Sequence, residues 1–165
     1  MARRVFFSFH YDRDVFRANQ VRNANVVLGP DVAGFFDHSE YEDAKKRGDE
    51  AIRRMILGHL DNTSVTVVLI GTFTSLRPWV RFEIAESVKR KNGLLGIRIH
   101  HLKDGTGATS APGGVPTVPA GIAFPVYTWE ASVGGFGDAI ETAGQRSDAL
   151  KRQRPTLLTG LFYGR

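Results

Sequence analysis

An α/β fold with a central, mostly parallel five-stranded sheet follows from three observations on the sequence. Strand-like and helix-like segments alternate along the chain. The strand-like segments are continuous apolar runs, which suit a parallel sheet covered on both faces. Turn-forming residues separate one segment from the next, leaving room for right-handed crossovers.

Residues 4–11 (RVFFSFHY) form the first such run, rich in aromatic residues. Asp12 is placed to cap a helix reaching about residue 25. Gly29-Pro30 marks a turn, and residues 32–36 read as a short second strand. A charged loop, 37–47, leads into a helix over about 49–60, where Ile52, Met55, Ile56 and Leu60 recur at helical spacing. Residues 65–70 (VTVVLI) are the clearest strand, β-branched and wholly apolar. Pro78 suits the first position of a helix that runs to about residue 91, with Val80, Ile84 and Val88 as its buried stripe. Asn92-Gly93 ends it, and 94–99 (LLGIRI) is the next strand. Residues 103–121, rich in Gly, Pro, Thr and Ser, read as a long exposed loop. A fifth strand over 124–129, a last helix over about 138–153 and a tail from 154 complete the chain.

With 165 residues and no repeat or composition break, a single domain spanning 1–165 is expected, its core over about 3–130. The absence of Cys excludes a disulfide framework, a thiolate zinc site and a cysteine nucleophile, and makes a cytoplasmic location the expectation. No signal-peptide pattern opens the chain, and the longest apolar run, 65–73, is far short of the roughly 18 residues that span a bilayer. No membrane association is expected. The net charge of +5 suggests an anionic partner, but its distribution argues against nucleic acid. Residues 1–62 carry 10 basic and 10 acidic side chains, and the excess, 12 against 7, is scattered over residues 63–165. Its two clusters, Lys89-Arg90-Lys91 and Lys151-Arg152-Gln153-Arg154, fall near helix ends, where cations oppose the helix dipole.

Familiar catalytic motifs are missing. There is no G-x-x-x-x-G-K-[ST] phosphate loop, and Gly134-Gly135-Phe136-Gly137 reads as a flexible joint. His100-His101 lacks metal-ligand spacing, and Ser8 lacks the elbow that exposes a nucleophile. Asp12 and Asp14 suggest a phosphoacceptor pocket, but the strand over 65–70 ends in Gly71-Thr72 instead of an aspartate. In an open parallel sheet, ligands bind beyond the carboxyl ends of the strands. That edge gathers Phe9, His10, Tyr11, Asp37, Gly71, Thr72 and Trp129, and the helix opening there carries Glu83 in its second turn. Trp79 precedes Glu83 by four residues and shares its face. Glu83 lies about 100° around from Ile84, at the margin of the buried stripe, which makes it a candidate for chemistry.

Taken in order, RVFFSFHY at 4–11, FFDHSEYEDAKK at 35–46, SVTVVLIG at 64–71 and WVRFEI at 79–84 resemble a TIR-like domain of the ThsB type, from the Thoeris anti-phage defence system. The resemblance covers about residues 3–102, with Tyr127-Thr128-Trp129 a weaker further match. It implies a flavodoxin-like, three-layer fold and cleavage of NAD at the nicotinamide–ribose bond. For the ThsB type it implies conversion of the ADP-ribose part into a signalling nucleotide, a cyclic ADP-ribose isomer or relative, that activates an effector of the ThsA type. A phage-derived trigger and self-assembly come with the family. NAD is then the substrate, and neither a cofactor nor a metal is implied. By resemblance, Glu83 is the catalytic glutamate with Trp79 beside it, Phe9, His10 and Tyr11 line the cleft, Asp37 opens a contact loop and Trp129 sits at the rim. Many TIR enzymes carry arginines where His10 and Tyr11 stand, so phosphate recognition and choice of product stay open.

One carboxylate suits this reaction. Ordinary glycosides need a second carboxyl group to protonate the leaving oxygen. Nicotinamide is a cation while attached and leaves neutral, so only the oxocarbenium-like transition state needs stabilising. Two other readings stand beside it: a non-enzymatic TIR adaptor, and another nucleoside or nucleotide N-glycosidase of the deoxyribosyltransferase kind.

Overall fold

The computed structural model describes residues 3–23, 38–130 and 135–153. Strand β1 (Val5–Ser8) is shorter than its apolar run, because helix α1 (Tyr11–Asn23) begins inside that run. The backbone N–H groups of Arg13 and Asp14 donate to the His10 carbonyl at 3.3 and 2.8 Å. His10 therefore takes the capping position expected of Asp12.

The charged segment 37–47 is not a loop over its described part. His38–Arg47 is a helix, α2. Its sequence hides this because, among its described side chains, only Tyr41 and Ala44, three residues apart, are buried. Tyr41 stacks on Tyr11 with ring centroids 4.0 Å apart, so a tertiary contact holds what a narrow apolar stripe cannot advertise. Helix α3 (Asp49–Leu60) follows the expected spacing, with Ile52, Ile56 and Leu60 buried. Every residue of β2 (Val65–Ile70) is buried.

A 3₁₀ turn (Thr74–Leu76) then leads to α4 (Pro78–Lys89), whose cap is Arg77 and whose first residue is Pro78. Strand β3 spans Gly93–Arg98, and β4, Val126–Thr128, is half the expected length. Helix α5 (Gly135–Arg152) starts three residues before Asp138, taking in glycines expected to be a flexible joint. The expected strand over 32–36 and the tail from residue 154 lie outside the described residues.

Among the described residues the sheet has four strands, all parallel, in the order β1-β2-β3-β4. Helices cover both faces. Side-chain alternation puts Ser8 and Thr66 on the α4 side, where they hydrogen-bond Glu83 and Ser87. Gly93 faces α5 on the opposite side, so close to the Ala143 carbonyl that a Cβ would collide with it. No helix of the described residues is long and apolar enough to cross a membrane. Within the basic cluster after α4, Lys89 and Arg90 pair with Glu86 at 2.8 and 2.9 Å, and Arg90 also meets Asp61 at 3.3 Å.

Residues 103–121 contain no helix or strand, as expected, but they are strapped to the sheet edge. The Arg17 side chain donates to the Leu102 and Ala108 carbonyls at 2.8 and 3.1 Å. Arg98 holds the Gly113 carbonyl at 3.0 Å, and Thr72 holds that of Ala111 at 2.5 Å. Gly113 lies against the Gly71 and Thr72 carbonyls with no room for a Cβ.

Candidate active site

A narrow cleft opens at the carboxyl end of β1, between α1, α2, α3 and the first turns of α4. Phe9, His10 and Tyr11 form one wall, and Tyr41 closes the side toward α2. Trp79, Val80 and Glu83 come from α4, with Arg77 at its cap. Ile52, Met55 and Ile56 of α3 supply an apolar floor. The free space inside is about that of one water molecule. The aromatic rings pack in two groups: Phe9 stacks on Tyr11 at 5.8 Å and Tyr11 on Tyr41, while Trp79 meets Phe82 edge-on at 5.8 Å.

Glu83 is the unusual member of the cleft. It is 4 % exposed, and the Ser8 hydroxyl donates to its Oε2. No cation of the described residues lies within salt-bridge distance of it. Burial pushes its carboxyl up from the ordinary 4.5 to about 8, the Ser8 hydrogen bond opposing this only in part. At neutral pH the closed cleft therefore holds mainly the neutral acid. His10 is buried too, and burial, then the charge of Arg77, lowers its pKa, while Asp14 and Asp12 pull the other way. At the mouth, Asp12 bridges Lys45 at 3.3 Å and Arg77 at 3.7 Å.

The state of Glu83 sets a stability test. Its folded pKa is raised, so the native state keeps a proton that the unfolded chain releases between 4.5 and about 8. The stabilisation is complete below that window and is lost as pH rises through it. Glu83→Gln cannot ionise. Its melting temperature should gain steadily on that of the wild type between acidic pH and about pH 8.5. A gap independent of pH would contradict a buried neutral carboxyl.

The cleft thus brings together five of the seven residues singled out in the sequence: Glu83, Trp79, Phe9, His10 and Tyr11. Asp37 lies outside the described residues. Trp129 does not line this cleft. It is buried after β4, edge-on to Phe136 at 5.2 Å, beside a separate cavity with Ile97 and Tyr127. Strand order explains the separation, because β4 is three strands from β1, roughly 14 Å at the usual spacing.

Three contributors escaped sequence reasoning. Tyr41 sits in the helix that looked like a loop. Ser8 was weighed only as a nucleophile, although β1 aims it at α4. Arg77 had a usable signal, since the residue before a helix-opening proline stands at the edge where ligands bind.

Comparison with known proteins points one way. The profile of the family described as "Thoeris protein ThsB, TIR-like domain" matches residues 6–104. The chain is also 41% identical over 170 aligned residues to the Bacillus cereus (strain MSX-D12) protein named "Putative cyclic ADP-D-ribose synthase ThsB1". That alignment covers 99% of this chain and 87% of the relative.

Proposed function

Because the chain belongs to the Thoeris ThsB TIR-like family, we propose that it is an NAD-cleaving enzyme of anti-phage defence that releases nicotinamide and closes the ADP-ribose part into a cyclic ADP-ribose isomer or relative. The product is the signal, and an effector of the ThsA type is its receiver. The observation that carries this reading is Glu83: a carboxyl buried among aromatic rings, hydrogen-bonded by Ser8 and neutralised by no cation of the described residues.

Such a group is costly to keep for folding alone, since burying an uncompensated carboxyl destabilises the native state. A scaffold gains nothing from it. A glycosidic cleavage whose leaving group departs neutral gains its one requirement. The bound nicotinamide ring is cationic, and a cation beside a buried carboxyl favours the ionised form. As substrate enters through the parted walls Glu83 gives its proton to solvent, and once the walls close the carboxylate faces the positive charge developing on the ribose. The low polarity of Phe9, Tyr11, Tyr41 and Trp79 strengthens that attraction. The same rings exclude water, which ring closure requires if hydrolysis is not to win. Space for about one water means that substrate enters after the aromatic walls part.

Arg77, 37% exposed at the mouth, is the cation placed to meet the diphosphate. It takes the part expected of the arginines that His10 and Tyr11 replace, and Asp12 must release it first.

The pH profile tests the reading. kcat/KM reports the free enzyme's ionisations, so for nicotinamide release it should climb with pH, pass half its maximum near 8, the value to which burial lifts Glu83, and level off above it. A profile flat from about pH 6 to about pH 9, or one that falls, contradicts the ionised-Glu83 mechanism.

A further inference from the structure

His10 has no use in the cleavage step as described, yet its placement is closely controlled. Its carbonyl caps α1, which fixes its backbone. Its ring is 7% exposed and lines the cleft that holds Glu83. Its Nδ1 is buried without a hydrogen-bond partner among the described residues. A buried ring nitrogen left unpaired is unfavourable for folding and is a group kept free for another purpose. The charged and titratable groups around it are Arg77 and Glu83 from α4, Asp12, Arg13 and Asp14 from α1, and Tyr41 from α2. Burial and Arg77 together keep the imidazole neutral, so it carries one free lone pair.

Ring closure through a hydroxyl oxygen needs such a lone pair. Once the bond between ribose and nicotinamide has broken, its electron pair leaves on nicotinamide. A hydroxyl oxygen of the adenosine half then attacks the anomeric carbon, and its proton must go elsewhere as the new C–O bond forms. Glu83 is a poor receiver, because protonation would remove the charge that stabilises the cationic ribose. Water is excluded by the rings.

We propose that His10 is the base that takes this proton and thereby sets the partition between cyclic and linear product. This rests on the NAD-cleavage reading above. The proton passes from the hydroxyl to the imidazole, and from there to solvent when the product leaves, with nothing oxidised or reduced. The assignment selects an oxygen-linked ring, because an adenine nitrogen attacks with its own lone pair and needs no base.

The test uses the full chain purified from phage-challenged cells, supplied with NAD, and compares wild type with His10→Asn and His10→Gln, which keep hydrogen-bonding capacity but not basicity. Nicotinamide, linear ADP-ribose and cyclic product are measured in each reaction. Whatever the total rate, the ratio of cyclic to linear product should fall at least about tenfold in both variants, since a positioned base contributes about 10²–10⁴-fold. The ratio is internal to each sample, so a loss of folded protein does not move it. An unchanged ratio, or a cyclic product joined through an adenine nitrogen, overturns the role of His10. A wild type that releases no nicotinamide ends the NAD-cleavage reading itself, and this proposal with it.

Discussion

On the proposed mechanism, replacing Glu83 by Gln should lower nicotinamide release from NAD by about 10²–10³-fold, the cost of removing one well-placed charge stabiliser. The substitution is conservative in shape, so the lost quantity is charge. Gln retains an oxygen that accepts from Ser8, and the aromatic walls of the cleft stay in place. The residual rate comes from those walls, which still bind and orient the substrate. KM should rise as well, because the carboxylate also meets the cationic nicotinamide of the bound substrate, but kcat should carry the larger part of the loss. Stability should move the other way. The variant no longer confines an ionisable carboxyl in an apolar site, so above neutral pH it should melt higher than wild type. A steady-state assay of released nicotinamide, paired with a thermal melt, reads both effects. Loss of activity with a lowered melting temperature would indicate damage to the fold instead.

Arg17→Met destabilises the protein by about 3–5 kcal/mol, the usual cost of leaving one member of a buried ion pair alone. Arg17 is 3% exposed and Asp14 2% exposed, with 3.0 Å between Nη1 and Oδ1. Burial already raises the pKa of Asp14, and Arg17 is the principal group holding it down. The same guanidinium holds the Leu102 and Ala108 carbonyls and lies 3.6 Å from Asp104, so its loss also unties the start of the 103–121 strap. For a chain of this size the melting temperature should drop by roughly 10 °C. Adding Asp14→Leu should recover part of the loss, because the stranded carboxyl is removed with its partner. A single variant within about 2 °C of wild type would show that the strap does not depend on Arg17.

Local pattern reached far into the fold and stopped at tertiary contacts. The VTVVLI run announced β2 because a strand buried on both faces is β-branched and apolar at nearly every position, Thr66 excepted. Glu83 and Trp79 were legible because a four-residue spacing on a helix fixes a shared face, and the opening proline fixes where that helix starts. Helix α2 was not legible, since Tyr41 and Ala44 alone do not make a stripe, and the ring that stabilises it, Tyr11, lies in another element. The bond from Ser8 to Glu83 depends on how α4 seats on β1, which no spacing within either segment encodes. Arg17 carries the same lesson for residues 103–121: composition announced an exposed loop, and one buried guanidinium in α1 ties it down. Trp129 was drawn toward the cleft by lying at the correct sheet edge, and strand order removed it.

The most direct test of the account is mass spectrometry of the products formed from NAD by the full chain, with and without phage challenge, for wild type and Glu83→Gln. The account predicts free nicotinamide together with a nucleotide lighter than linear ADP-ribose by one water, both lost in the variant. Equal yields from wild type and Glu83→Gln, or intact NAD under both conditions, would contradict it.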